Sequence, residues 1–143
     1  LYHKPFNSCP GGVVLMAIRR CIADDAFSRA IRMARNNTCE HCHRTDGKME
    51  AAHIYSRSFK SVRWDTLNIL CLCFRCHLHF TGSPLDFEAW LRGYVGQGYL
   101  DILNEKRHRI QKDSKAYRKE VAAHYRQQIK LLEAGPHDLV SFQ

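Results

Sequence analysis

The chain has 143 residues, of which 45% are hydrophobic, enough for one modest core with helical additions. Its 22 Lys and Arg against 14 Asp and Glu leave a formal charge of +8. That balance favours a nucleic-acid partner, because Lys and Arg replace the counterions condensed on phosphates, although a merely soluble basic protein is the plain alternative. The apolar run Val13-Val14-Leu15-Met16-Ala17-Ile18 is too short to span a bilayer and runs into Arg19-Arg20. No membrane partner is therefore expected, and without a recognisable secretory signal the expected location is cytoplasmic. The first residue is Leu1, not Met, which leaves room for a preceding segment.

Residues 1–12 read as irregular, because Pro5, Pro10 and Gly11-Gly12 interrupt any period. The spacing of Ala26, Phe27, Ala30, Ile31 and Ala34 predicts a helix over 23–36, with Asp24 and Asp25 in its first turn and Arg35 in its last. Arg29, Arg32 and Arg35 fall off that apolar stripe and read as a solvated face, with DNA contact as the alternative. After Asn36-Asn37 comes a Cys-x-x-Cys knuckle and then the turn signal Asp46-Gly47. Strands are predicted over 49–56 and 67–72, pairing as a hairpin around the basic loop that runs from Arg57 to Trp64. A short helix follows Cys76 and stops at Gly82 and Pro84. Another is predicted over 86–95, with Phe87, Trp90, Leu91 and Tyr94 inward and Gly96 at its end. The stretch 104–133 reads as mostly helical and basic in its first half, and Gly135-Pro136 closes it. The expected class is α+β, organised as an N-terminal segment (1–22), a metal-stabilised core with flanking helices (23–95) and a basic helical extension (96–143).

Seven cysteines with no signal for an oxidising compartment favour metal over disulfides. Cys39-x-x-Cys42 and Cys73-x-x-Cys76 have the spacing of a structural, tetrahedral zinc site. Cys71 competes with Cys73, but only Cys73 forms the two-residue knuckle with Cys76. Cys9 and Cys21 read as ordinary buried thiols.

Interleaved with these cysteines are His53, Asn68 and His77. Phosphodiester hydrolysis needs a base for water, a cation for the developing charge and a fixed phosphate. His53, on the first strand, suits the base; His77, at the start of the helix, suits the cation ligand. Asn68 suits a brace for the hairpin, and Asp65 either does the same or pairs with an arginine such as Arg63. A strand histidine is often only structural, and a histidine beside a knuckle can itself bind zinc. Arg57, Lys60, Arg63 and Arg75 are the candidate phosphate contacts, with a solvated loop as their plain reading.

The run from Cys39 to His77 resembles a zinc-containing HNH (ββα-metal) endonuclease motif, with His53, Asn68 and His77 as its H, N and H. More narrowly, Ala51-Ala-His53-Ile-Tyr-Ser-Arg57 with Arg63-Trp64-Asp65, Asn68 and Cys76-His77 resembles the phage NinG-type (Rap) recombination nucleases, over most of the chain from Ala23 onward. The resemblance implies a small ββα-metal core and a one-metal mechanism with magnesium or manganese. It also implies 5′-phosphate and 3′-hydroxyl products and activity on branched or recombination-intermediate DNA. The chain departs from the pattern at Ala52, where many HNH enzymes carry a second cation ligand; Glu50, on the same strand face, is the candidate substitute. The alternatives are a restriction-type HNH nuclease and a zinc module that binds nucleic acid without cleaving it. A homodimer is compatible with either kind of nuclease.

Overall fold

The computed structural model describes residues 18–142. The irregular segment 1–12, Cys9 and most of the apolar run before Arg19 lie outside the described residues. Within them the chain is α+β, with five helices and one two-stranded antiparallel sheet.

Helix α1 (Ile22–Ala34) starts where its sequence supplies a cap: the Asp24 carboxylate accepts from the Cys21 N–H at 2.9 Å. It stops at Asn36 and Asn37, whose φ values of 50° and 49° are left-handed, a conformation asparagine tolerates. The chain then enters the first knuckle, closed by Cys39 N–H to the Arg44 carbonyl (2.9 Å) and His43 N–H to the Cys39 carbonyl (2.8 Å).

Strands β1 (Met49–His53) and β2 (Ile69–Cys73) pair in a register that sets Met49 opposite Cys73 and His53 opposite Ile69. β1 ends three residues before the predicted boundary, and a 3-10 turn over Thr66–Asn68 precedes β2. The cause is the loop between them, which folds on itself and takes Ser56 and Leu67 out of the ladder. β2 is buried along its whole length, packed between α1 and helix α2 (Phe74–Gly82).

Helix α3 (Pro84–Val95) begins with proline in its first turn, where no N–H is needed, and ends at Gly96 with φ of 80°. Phe80, Trp90 and Tyr94 stack in sequence, with ring centroids 5.1 and 5.0 Å apart, tying α2 to α3.

The stretch 104–133, expected to be mostly helical, falls in two helices, α4 (Gln97–Arg107) and α5 (Lys115–Ala134). Ser114 caps α5 by accepting from the Tyr117 N–H (3.0 Å), and Asp113 turns its carboxylate inward to two arginines. Local capping and a buried ion pair together override the helical spacing. α5 packs along α1, with Phe27 and Tyr125 ring to ring at 4.7 Å and Val121, Ala122 and Tyr125 fully buried. Residues 115–134 thus complete the core that covers β2. Among the described residues no helix is long and apolar enough to cross a membrane.

Candidate metal centre and active-site cleft

The two knuckles converge. The sulfurs of Cys39, Cys42, Cys73 and Cys76 all lie within 4.8 Å of one another, and those of Cys42 and Cys73 are 3.7 Å apart. Thiolates around a tetrahedral zinc ion sit roughly 3.8 Å apart for Zn–S bonds of about 2.3 Å, so these four residues fit a soft tetrahedral ion. Cys39 is buried, which alone would raise its thiol. The backbone N–H groups of Cys42, Cys73 and His41 outweigh burial and bring it down to about 7. Burial and the neighbouring sulfurs push Cys76 up. Four thiols crowded in this way stabilise a cation in their midst. Cys71 is excluded from the cluster. It is buried one residue pair further along β2 than Cys73, its N–H is held by the Glu40 carboxylate at 2.5 Å, and burial and then Glu40 raise its thiol to about 11.

Separate from the cluster, His53 and His77 line one cleft of about 340 Å³ together with Asp24, Phe27, Ser28 and Arg57. His53 is fixed by the loop. Its Nε2 lies 2.8 Å from the Arg63 carbonyl oxygen. A carbonyl only accepts, so Nε2 carries the proton and Nδ1 keeps the lone pair. Burial lowers the His53 pKa, with Arg57 adding to the effect. The ring is therefore neutral, and basic at Nδ1, at neutral pH.

Asn68 is completely buried and braces that loop. Its Nδ2 donates to the Tyr55 and Val62 carbonyls, both at 3.0 Å, and its Oδ1 accepts from the Tyr55 N–H at 2.7 Å. Asp65 accepts from the Leu67 N–H at 2.9 Å and pairs with Lys106, not with Arg63.

His77 projects from the first turns of α2 and meets Glu50 of β1, Nδ1 to Oε2 at 2.7 Å. The His77 hydrogen bond, assisted by Lys48, holds the Glu50 carboxyl below its ordinary range despite partial burial. One carboxylate and one imidazole at the cleft edge can serve a hard divalent ion whose remaining positions are water and phosphate oxygens. Ala52, 4% exposed, offers no ligand. His79 faces the metal-cluster side beside Arg44 and Arg75, away from this cleft.

The candidate phosphate contacts separate. Arg57 lines the cleft, 4.0 Å from Asp24, while Lys60 is exposed on the loop and Arg75 is exposed beside the second knuckle. Arg63 does not reach the surface: it is 3% exposed, and this corrects its assignment as a phosphate contact. Its Nη2 and Nε donate to Asp24 at 2.6 and 3.0 Å, and its Nη1 lies 3.5 Å from Asp113. Asp24 also accepts from the Trp64 indole at 3.0 Å. Burial alone would raise the Asp24 carboxyl; Arg63 and the Cys21 N–H outweigh it and bring it down to about 2.

Asp24 and Asp113 are thus the site residues that spacing does not reveal. Asp24 reads as a helix-dipole residue and Asp113 as part of a helix, yet together they clamp the residue whose carbonyl orients His53. His41, inside the first knuckle, is a third: its Nδ1 is 3.2 Å from the Cys76 sulfur, and its ring packs edge-on against Phe80 and Trp90. Comparisons with protein-family models, curated proteins and solved structures give no significant match.

Proposed function

We propose that this protein is a metal-dependent DNA endonuclease of the HNH type, with zinc held by Cys39, Cys42, Cys73 and Cys76 for structure alone. The observation that carries the reading is the shared cleft of His53 and His77, in which His53 is held by Nε2 and basic at Nδ1. In that reading a water oxygen attacks phosphorus while Nδ1 of His53 takes its proton. The bond from phosphorus to the 3′-oxygen breaks, leaving a 5′-phosphate and, after protonation by solvent, a 3′-hydroxyl. His77 and Glu50 would hold magnesium or manganese, which would supply neutralisation of the charge that develops in the reaction. Asn68 fixes the loop and thereby the base, and Arg57 contacts phosphate. Branched or recombination-intermediate DNA is the proposed substrate, consistent with the +8 charge and with the sequence resemblance.

The test is incubation of supercoiled plasmid, linear duplex and synthetic junctions with magnesium or manganese. Wild type is expected to cleave and to prefer junctions, and His53→Ala to lose cleavage while keeping its fold and DNA binding. Equal turnover by His53→Ala would refute the mechanism. Cutting at one sequence on linear duplex would favour a restriction-type enzyme. The buried methyl of Ala52 supports a second reading, a zinc module that binds nucleic acid without cutting it; binding without cleavage by any variant would favour that reading.

A further inference from the structure

Beyond His77 the cleft continues. A second cavity of about 580 Å³ shares Arg20, Ser28, Ala51 and His77 with the first and extends to Arg32, Asn37 and Lys48. Its charges are mostly spoken for. Arg20 pairs with Asp25 at 2.8 Å and Lys48 with Glu50 at 3.1 Å. Arg32 differs: among the described residues it has no carboxylate partner, and its Nη1 donates to the Ser28 hydroxyl at 2.5 Å. Ser28 itself is 6% exposed, so it presents a fixed acceptor that aims the guanidinium into the cavity. The neighbouring arginines of α1 are neutralised elsewhere, Arg29 by Glu133 of α5 (3.1 Å) and Arg35 by Glu40 (3.4 Å).

A guanidinium held through one N–H keeps its other N–H groups for a planar anion, and phosphate fits that fork. Asn37, at the left-handed end of α1, adds an amide to the same wall. We propose that this second cavity binds the phosphodiester backbone of the nucleic acid beyond the scissile phosphate, with Arg32 as its clamp. Arg57 and Arg32 then flank His53 and His77 at the two ends of one strand path. This rests on the nuclease reading and adds a direction to it: the strand crosses β1 along α1, not along the metal knuckles.

The experiment measures binding of a fluorescently labelled four-way junction and a linear duplex, in magnesium, over a series of KCl concentrations. The protein carries His53→Ala so that the DNA stays intact. Adding Arg32→Ala is expected to weaken binding about tenfold and to make the slope of log affinity against log salt shallower by about 0.9, one phosphate contact. Arg32→Lys should keep the slope and recover part of the affinity, and Arg29→Ala should change neither. Arg32→Ala with unchanged affinity and slope, while Arg57→Ala weakens binding, would overturn the path and leave the nuclease reading standing. Equal losses from Arg29→Ala and Arg32→Ala would also overturn it, since net charge would then explain both. If the protein carrying His53→Ala alone does not bind and wild type does not cleave, the path and the nuclease reading fall together.

Discussion

Replacing Asp24 with asparagine tests the linkage between the first helix and the hairpin loop. The variant keeps the shape of the side chain and removes the charge that faces Arg63, which is 3% exposed. Two routes give a magnitude. Lowering the Asp24 carboxyl from 3.8 to about 2 corresponds to about 2 kcal/mol of stability near neutral pH. Removing one partner of a buried ion pair costs about 3–5 kcal/mol, because the remaining charge is stranded. Asp113, 3.5 Å from the same guanidinium, remains as partial compensation and places the expectation near the lower bound. A loss of about 3 kcal/mol in urea unfolding is expected, with a fall in melting temperature of about 10 °C for a chain of this size. The pH dependence carries a sign. Because the folded carboxyl titrates below the unfolded one, its contribution is present above pH 3.8 and is lost as pH falls through about 2. The Asp24→Asn variant should lack that acid-side step. A midpoint within about 0.5 kcal/mol of wild type would refute the buried ion pair as a structural link.

Chelation of an ion held by the four cysteines should unfold the centre of the chain. A structural zinc site contributes about 10–16 kcal/mol, comparable with the whole stability of a domain; elemental analysis should find one zinc per chain, and unchanged circular dichroism after chelation would contradict the assignment. Asn68→Ala leaves the Tyr55 N–H and two carbonyls without their partner and should cost about 3 kcal/mol; a denaturation midpoint matching wild type would show that the loop does not need its brace. For His53, burial keeps the ring neutral to lower pH, so the acid limb of kcat/KM should fall below pH 6.5. The unfolded chain takes that proton first, so the folded state loses stability as pH drops below 6.5. An acid limb centred above that value would exclude His53 as the base.

The hairpin loop is the mechanical centre of the molecule. It receives Asn68 from the base of β2, Asp24 from α1 and Asp113 from the turn before α5. From α4, the Arg107 guanidinium lies over the Tyr55 and Phe59 rings at 4.5 and 5.3 Å, and its carbonyl accepts from Ser61 at 2.9 Å. From α5, the Tyr125 hydroxyl donates to the Trp64 carbonyl at 2.5 Å. A loop with this many buried anchors holds His53 at Nε2 with little freedom, which is what a base acting at Nδ1 requires.

Much of this was legible in the residues alone, wherever the determining interaction is local or set by fixed spacing. The two Cys-x-x-Cys knuckles specify the four-sulfur cluster because each pair is short enough to present both thiols to one ion. The apolar stripe of α1, the hairpin, and the glycine that ends α3 follow from periodicity and backbone preference. The nearness of Glu50 to His77 follows from strand alternation with one helix turn beyond it. What required the tertiary structure depends on residues far apart in sequence. Arg63 looks like any loop arginine until α1 and the turn before α5 bring Asp24 and Asp113 against it, 39 and 50 positions away. The break at residues 108–114 is invisible to helical spacing because that same long-range ion pair helps to fix it. Whether α5 extends from the core or covers it depends on Tyr125 meeting Phe27 and Trp64, an encounter that side-chain burial decides and local propensity does not.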